Sequence, residues 1–211
     1  NRGLIALDID GTSVEKGGAI SPALAAHLKQ LASFGWIVFF ITGRPFSFAK
    51  QAFGHFDFPF YLGVQNGADI MRYPSQESID RRYLDASHLS ELASFYSDYI
   101  VYSGYERGDF CYYAPSQMSQ NEDDYFQQLM AITSAPWVEV NRSEDLQGQT
   151  QIPLIKCFGD LKALEHVESA CSWANGSIIQ DTIDPGRYIL LLTALDANKG
   201  EAVDHLASIT Q

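Results

Sequence analysis

The sequence predicts an α/β fold, a doubly wound parallel-sheet core with a separate α+β module inserted into it. Short, wholly apolar runs alternate with helix-like segments over the first third of the 211 residues. Tyrosine-rich, strand-like segments follow from about Arg82, and an amphipathic helix comes after residue 198. The expected division is 1–81 for the first part of the core, 82–187 for the inserted module, and 188–211 for the return to the core.

Residues 3–7 form an apolar run ending in Asp8, and Trp36–Ile41 another ending in Thr42, so both read as buried parallel strands. Between them Ser21 caps a helix with Pro22 at its first position, Leu24, Leu28 and Leu31 repeat along one face, and Gly35 ends it. After Thr42-Gly43-Arg44, Pro45 opens a second helix reaching about Phe53, and Phe60–Val64 supplies a third strand. Ligands of such sheets bind at the carboxyl ends of the strands, which is where Asp8, Thr42 and Asn66 fall. Through the inserted module and into the return, strands are expected at 99–105, 110–113, 137–140, 154–158, 177–180 and 188–192, with helices at 122–132 and 161–173. Asp184-Pro185-Gly186 is the turn between the last two strands. In the closing helix, Ala202, Val203, Leu206 and Ile209 recur at helical spacing and should pack on the core.

With 46% hydrophobic and 19% charged residues the chain is globular, and a formal charge of −12 disfavours nucleic acid and anionic membrane surfaces. An anionic small substrate stays possible, because a metal and a few local cations can outweigh the global field inside one cleft. Cys111, Cys157 and Cys171 are widely spaced and form no CxxC pair, which suggests reduced thiols and a cytoplasmic protein. No run approaches the ~20 apolar residues of a membrane span. The sequence does not set the oligomeric state.

The chemistry concentrates in Asp8-Ile9-Asp10-Gly11-Thr12. Two carboxylates two residues apart at a strand end can share a hard cation and flank a substrate. Asp8 can attack phosphorus to form an aspartyl-phosphate, while Asp10 protonates the leaving oxygen and later deprotonates the hydrolytic water. Gly11 permits a tight turn and Thr12 offers a hydroxyl to phosphate. Taken alone, the motif is equally an acidic turn or a calcium-loop fragment, although an EF-hand would need a glutamate where Ala19 stands. Thr42-Gly43 alone is also a plain strand-to-helix turn, and Lys199 alone a solvated lysine. A helix start disfavours a lysine by about 0.3–1 kcal/mol, so a local anion is implied. Tyr102, Tyr105, Tyr112 and Tyr113 could stack on a sugar, but alternating tyrosines are more often ordinary sheet packing. The five histidines show no ligand spacing, and zinc is not supported.

Together these residues resemble a known family. Asp8-Ile9-Asp10-Gly11-Thr12 looks like the first signature of the haloacid-dehalogenase superfamily, Ile41-Thr42-Gly43-Arg44 its second, and Asn198-Lys199-Gly200 its third. Gln65-Asn66-Gly67-Ala68 is similar to a stretch common in the sugar-phosphatase branch with a large cap, the Cof-like, mannosyl-3-phosphoglycerate phosphatase-like and sucrose-phosphatase-like enzymes. The resemblance implies a Rossmann-like core with an α+β cap that closes over the cleft. It implies Asp8 as nucleophile and magnesium ligand, Asp10 as acid/base and ligand through its main-chain carbonyl, and Lys199 as charge clamp. Thr12, Thr42, Gly43 and Asn66 would face the substrate, and Arg44 would either touch it or only brace the loop. The cofactor would be Mg2+, and the substrate a phosphorylated small molecule, either a sugar phosphate or a phosphorylated glycerate derivative of a sugar. The family pattern also calls for an acidic Gly-Asp-x-x-Asn-Asp-like loop after a fourth strand, and the sequence stops first. The remaining magnesium carboxylates, and the last part of the core, are therefore expected beyond Gln211. The alternatives are a phosphosugar mutase of the same superfamily and a shortened protein that binds phosphorylated ligands without turning them over.

Overall fold

The computed structural model describes residues 2–14, 18–103, 110–114, 123–132, 136–141, 143–146, 152–181 and 183–210. The chain divides into two compact units, Asn1–Arg82 with Ala197–Gln211, and Tyr83–Asp196.

The first unit is built on a five-stranded sheet in the order β1-β2-β3-β4-β5. Its strands are β1 (Gly3–Asp8), β2 (Trp36–Ile41), β3 (Phe60–Val64), β4 (Asp69–Tyr73) and β5 (Glu77–Arg81). β1, β2 and β3 are parallel, with Asp8 opposite Ile41, so the ends of β1 and β2 deliver Asp8 and Thr42 to one edge. The expected all-parallel sheet is in fact mixed, because β4 and β5 add an antiparallel hairpin. β1 also departs from expectation: it is an edge strand of the described sheet, and its residues are half-buried or exposed rather than buried.

Helix α1 (Pro22–Ser33) starts where the sequence places it, with the Ser21 hydroxyl accepting from Leu24 N at 3.2 Å. The expected helix up to Phe53 is two pieces, α2 (Phe46–Ala49) and a 3-10 turn over Lys50–Phe53. That turn brings Phe53 to 5.0 Å from Phe40, in an aromatic cluster with Phe56 and Phe60. On the opposite face of β2, Phe39 and Ile41 pack with Ile70 and with Ala202 and Leu206 of a later helix, Lys199–Thr210. β2 is thus covered on both faces, as a doubly wound sheet requires. Each buried leucine or isoleucine here is worth about 2–5 kcal/mol against alanine.

The second unit holds a six-stranded sheet of β6 (Tyr99–Tyr102), β7 (Cys111–Tyr113), β8 (Trp137–Glu139), β9 (Leu154–Gly159), β10 (Ala174–Gln180) and β11 (Tyr188–Ala194). Their order is β10-β11-β9-β6-β7-β8. Side chains alternate across it. Tyr99, Val101, Cys157, Leu190 and Leu192 share a core with α3 (His88–Ala93) and α5 (Leu161–Ala170). Ile100, Tyr102, Leu154, Phe158 and Leu191 face α4 (Asp123–Ile132). The boundary expected at 188 is displaced, since β11 lies between β9 and β10 and pairs antiparallel with both. An apolar strand reads alike in either sheet, and only its partners distinguish the two. Tyr105 and parts of the expected elements at 99–105 and 122–132 lie outside the described residues. Helix α6 is Lys199–Thr210.

Candidate active site

β1 ends in Asp8, and the chain turns back at once. Ser13 N and Val14 N both donate to Ile9 O at 3.0 Å, Gly11 takes φ +73°, and the Ser13 hydroxyl donates to Asp8 O at 2.6 Å. This knot points the two carboxylates of the motif at different partners. Asp8 Oδ1 accepts from Ile9 N at 2.8 Å, and Asp8 Oδ2 accepts from Lys199 Nζ at 2.7 Å across 191 residues of sequence. Asp10 accepts a two-pronged bond from Arg44, Nε to Oδ2 at 2.8 Å and Nη2 to Oδ1 at 2.6 Å.

The second motif and the Gln65-Asn66-Gly67-Ala68 stretch are joined through the main chain. Asn66 N donates to Thr42 O at 2.8 Å and Gln65 N to Arg44 O at 3.0 Å, which stitches the loop after β2 to the loop after β3. Gln65 and Asn66 hold φ of +51° and +60°, a left-handed conformation that costs an ordinary residue energy and is kept here by those bonds. Gly67, at φ +88°, has α6 against it: a Cβ there would stand 2.7 Å from Ala202 Cβ. Asn198 caps α6, its Oδ1 accepting from Glu201 N at 2.9 Å, and so sets Lys199 in the first turn. The ammonium at that position is opposed by the helix dipole and answered by Asp8.

A protein-family model of the haloacid dehalogenase-like hydrolases matches residues 5–211. The chain belongs to that family. No curated protein matches its sequence. Among solved structures, a haloacid dehalogenase-like hydrolase from B. subtilis superposes with TM-score 0.74 at 19% identity, over 98% of this chain and 78% of that one. A HAD subclass IIB sugar phosphatase matches with TM-score 0.68 at 17% identity, over 99% and 76%. A phosphatase of the haloalkanoate superfamily from Bacteroides thetaiotaomicron matches with TM-score 0.72 at 18% identity, over 98% and 72%. The fold of this chain is the haloacid dehalogenase-like hydrolase fold.

In this family member the residues named from sequence are placed as follows. Asp8, Asp10, Lys199 and Arg44 meet through side chains, whereas Thr42, Gly43 and Asn66 meet through the backbone stitch and close packing. A Cβ added at Gly43 would approach Asn66 Oδ1 to 3.2 Å. Thr42 is fully buried, and its Oγ1 accepts from Arg44 N at 3.1 Å, leaving the hydroxyl proton to donate. Thr12 is exposed at the turn. Arg44, for which substrate contact and bracing of the loop were both open, is turned onto Asp10 with its side chain 4% exposed. Sequence reasoning missed Ser13, which ties the strand end, and Phe48, whose ring lies 4.1 Å from the Arg44 guanidinium carbon. Arg44 lies before the helix that carries Phe48, so no local spacing signalled their contact.

For magnesium, the strand end offers the Asp8 carboxylate and the Asp10 carbonyl, both hard oxygen donors. Among the described residues no group of three or more His, Cys, Asp or Glu forms a metal cluster. The donors fit a magnesium ion of the kind that keeps waters and substrate oxygens in its shell. No described helix is long and apolar enough to cross a membrane.

Proposed function

We propose that this chain is a magnesium-dependent phosphatase acting on a phosphorylated small metabolite, a sugar phosphate or a mannosyl-phosphoglycerate-like compound, through an aspartyl-phosphate on Asp8. The observation that carries it is the Lys199 ammonium 2.7 Å from Asp8 Oδ2, with a second carboxylate, Asp10, held two residues on. Phosphoryl transfer needs a placed nucleophile and cations near the charge that develops on the equatorial oxygens, and little else.

In the first half-reaction an Asp8 oxygen forms the bond to phosphorus as the bond to the leaving oxygen breaks, and Asp10 gives that oxygen a proton. In the second, Asp10 takes a proton from the water that attacks phosphorus, and Asp8 leaves as carboxylate. Lys199 balances charge on Asp8 and on the phosphoryl oxygens. The Thr12 and Thr42 hydroxyls, with Gly43 and Asn66, bind the phosphate. Magnesium, held by the Asp8 carboxylate and the Asp10 carbonyl, supplies neutralising charge when bound. We take the unit 83–196 to act as a cap that contacts the substrate beyond its phosphate and sets specificity.

The test is release of inorganic phosphate from a panel of sugar phosphates, with magnesium and with EDTA, for the wild type and Asp8→Asn. Magnesium-dependent release that Asp8→Asn reduces at least about 10³-fold is expected, since the nucleophile itself is lost. Turnover that survives this substitution would rule out the covalent route. Phosphorylated sugar isomers in place of inorganic phosphate would identify a mutase.

A further inference from the structure

We propose that Arg44 is a positioning residue for Asp10, fixing the orientation of the acid/base carboxylate from beneath, and is not a ligand of the substrate phosphate. This rests on the phosphatase reading above. The guanidinium presents Nε and Nη2 as a fork, and both Asp10 oxygens accept from it, so the plane of the carboxylate and its rotamer are set together.

Exposure divides the two partners. The Asp10 side chain is 49% exposed and the Arg44 side chain 4%, so a buried donor aims an accessible acceptor. Arg44 is itself immobilised at three points. Its N–H donates to Thr42 Oγ1 at 3.1 Å, its carbonyl accepts from Gln65 N at 3.0 Å, and its guanidinium lies over the Phe48 ring at 4.1 Å. Its remaining terminal nitrogen, Nη1, is buried and finds no hydrogen-bond partner among the described residues. The guanidinium thus stands in this place for the fork to Asp10, at the cost of one unmet donor.

The chemistry explains why orientation matters here. Each carboxylate oxygen has two lone-pair directions, and the fork occupies one on each. The other directions stay open on the accessible side, where the leaving oxygen must receive a proton and the water must lose one. An unclamped aspartate in an exposed turn would sample several rotamers and present those lone pairs only part of the time.

The decisive experiment compares two substrates. A sugar phosphate has a poor leaving group that needs Asp10's proton, whereas p-nitrophenyl phosphate releases a phenolate that does not. Followed in a single turnover, so that only phosphoryl transfer to Asp8 is read and not the water step that needs Asp10 on either substrate, Arg44→Gln should slow that transfer from the sugar phosphate by about 30- to 100-fold with KM changed less than about threefold, while the burst of p-nitrophenol release slows less than about threefold. Arg44→Lys should lie between Arg44→Gln and wild type, because an ammonium replaces one prong of the fork. Phe48→Leu, which loosens the guanidinium without entering the site, should show the same selectivity on a smaller scale, and it keeps the test open if Arg44→Gln fails to fold. A rise in KM of tenfold or more on both substrates, with kcat kept, would mean that Arg44 binds the phosphate and would overturn the proposal. An equal slowing of phosphoryl transfer to Asp8 from both substrates would overturn it as well, since a general disturbance of the site gives that pattern. Failure of the wild type to release phosphate from either substrate in an Asp8-dependent manner would instead refute the phosphatase reading beneath it.

Discussion

Lys199→Ala separates what the Lys199–Asp8 pair does for stability from what it does for chemistry. Both side chains are well exposed, 40% for Lys199 and 37% for Asp8, so the ion pair is of the kind worth about 0.2–1 kcal/mol to folding. Against that stands the position of the lysine in the first turn of α6, where the dipole opposes it by about 0.3–1 kcal/mol. Alanine also forms helix at least as well as lysine. The three contributions nearly cancel, leaving a net change between about −0.5 and +1 kcal/mol, or a melting shift of no more than about 4 °C for a chain of this length. The chemical loss is of a different order. Removing one preformed charge at the reacting phosphoryl group costs about 10²–10³ in kcat. Thermal melting by circular dichroism and steady-state phosphate release on the same preparation give both numbers. A melting drop above about 8 °C would refute the reasoning, because it would make the pair structural. Retained turnover would refute the charge-clamp role directly.

Two further outcomes follow from geometry elsewhere. Gly67→Val forces a Cβ within 2.7 Å of Ala202 Cβ and 3.1 Å of Asn198 O at φ +88°, so urea unfolding should show a loss of about 2–4 kcal/mol together with a kcat loss from displacement of α6; wild-type stability would show that the helix yields freely. Lys156, whose ammonium lies 4.9 Å from the Tyr102 ring centre, has a pKa lowered by desolvation from its ordinary 10.5. The unfolded chain keeps that proton up to about 10.5 while the folded one releases it earlier, so wild-type stability gains from this group as pH rises through the window between the two values. Lys156→Met should therefore be more stable than wild type at pH 7, and the gap measured in urea should narrow towards pH 10.5; a gap that stays constant over that range would rule out burial of the charge as its cause.

The placement of the two carboxylates at a strand end was legible because each apolar run ends where a parallel strand must hand the chain to a loop. Asp8 and Thr42 followed from that, and Asn198-Lys199-Gly200 from its likeness to a family signature. β4 and β5 were not legible. Asp69-Ile70-Met71-Arg72-Tyr73 and Glu77-Ser78-Ile79-Asp80-Arg81 carry too little apolar periodicity, and their strand form comes from pairing with β3 and with each other. The direction in which Arg44 turns was also hidden. It depends on the Asp8–Ile41 register and on the Phe48 ring, which are tertiary facts with no counterpart in the local motif.

The four motifs are held by two kinds of bond. The loops after β2 and β3 are stitched by main-chain hydrogen bonds, and α6 is locked to the second of them at Gly67, so Thr42, Arg44, Asn66 and Lys199 share one stiff platform. The loop after β1 reaches that platform through side chains, Lys199 to Asp8 and Arg44 to Asp10. One cation on the platform therefore holds Asp8 and another holds Asp10, and the two carboxylates lie only two residues apart on a short knot. Loosening either clamp frees the same loop. Lys199→Ala combined with Arg44→Gln should consequently cost less in kcat than the product of the two single losses, as expected for groups acting on one element. Fully multiplicative losses would mean that each carboxylate is held independently of the other.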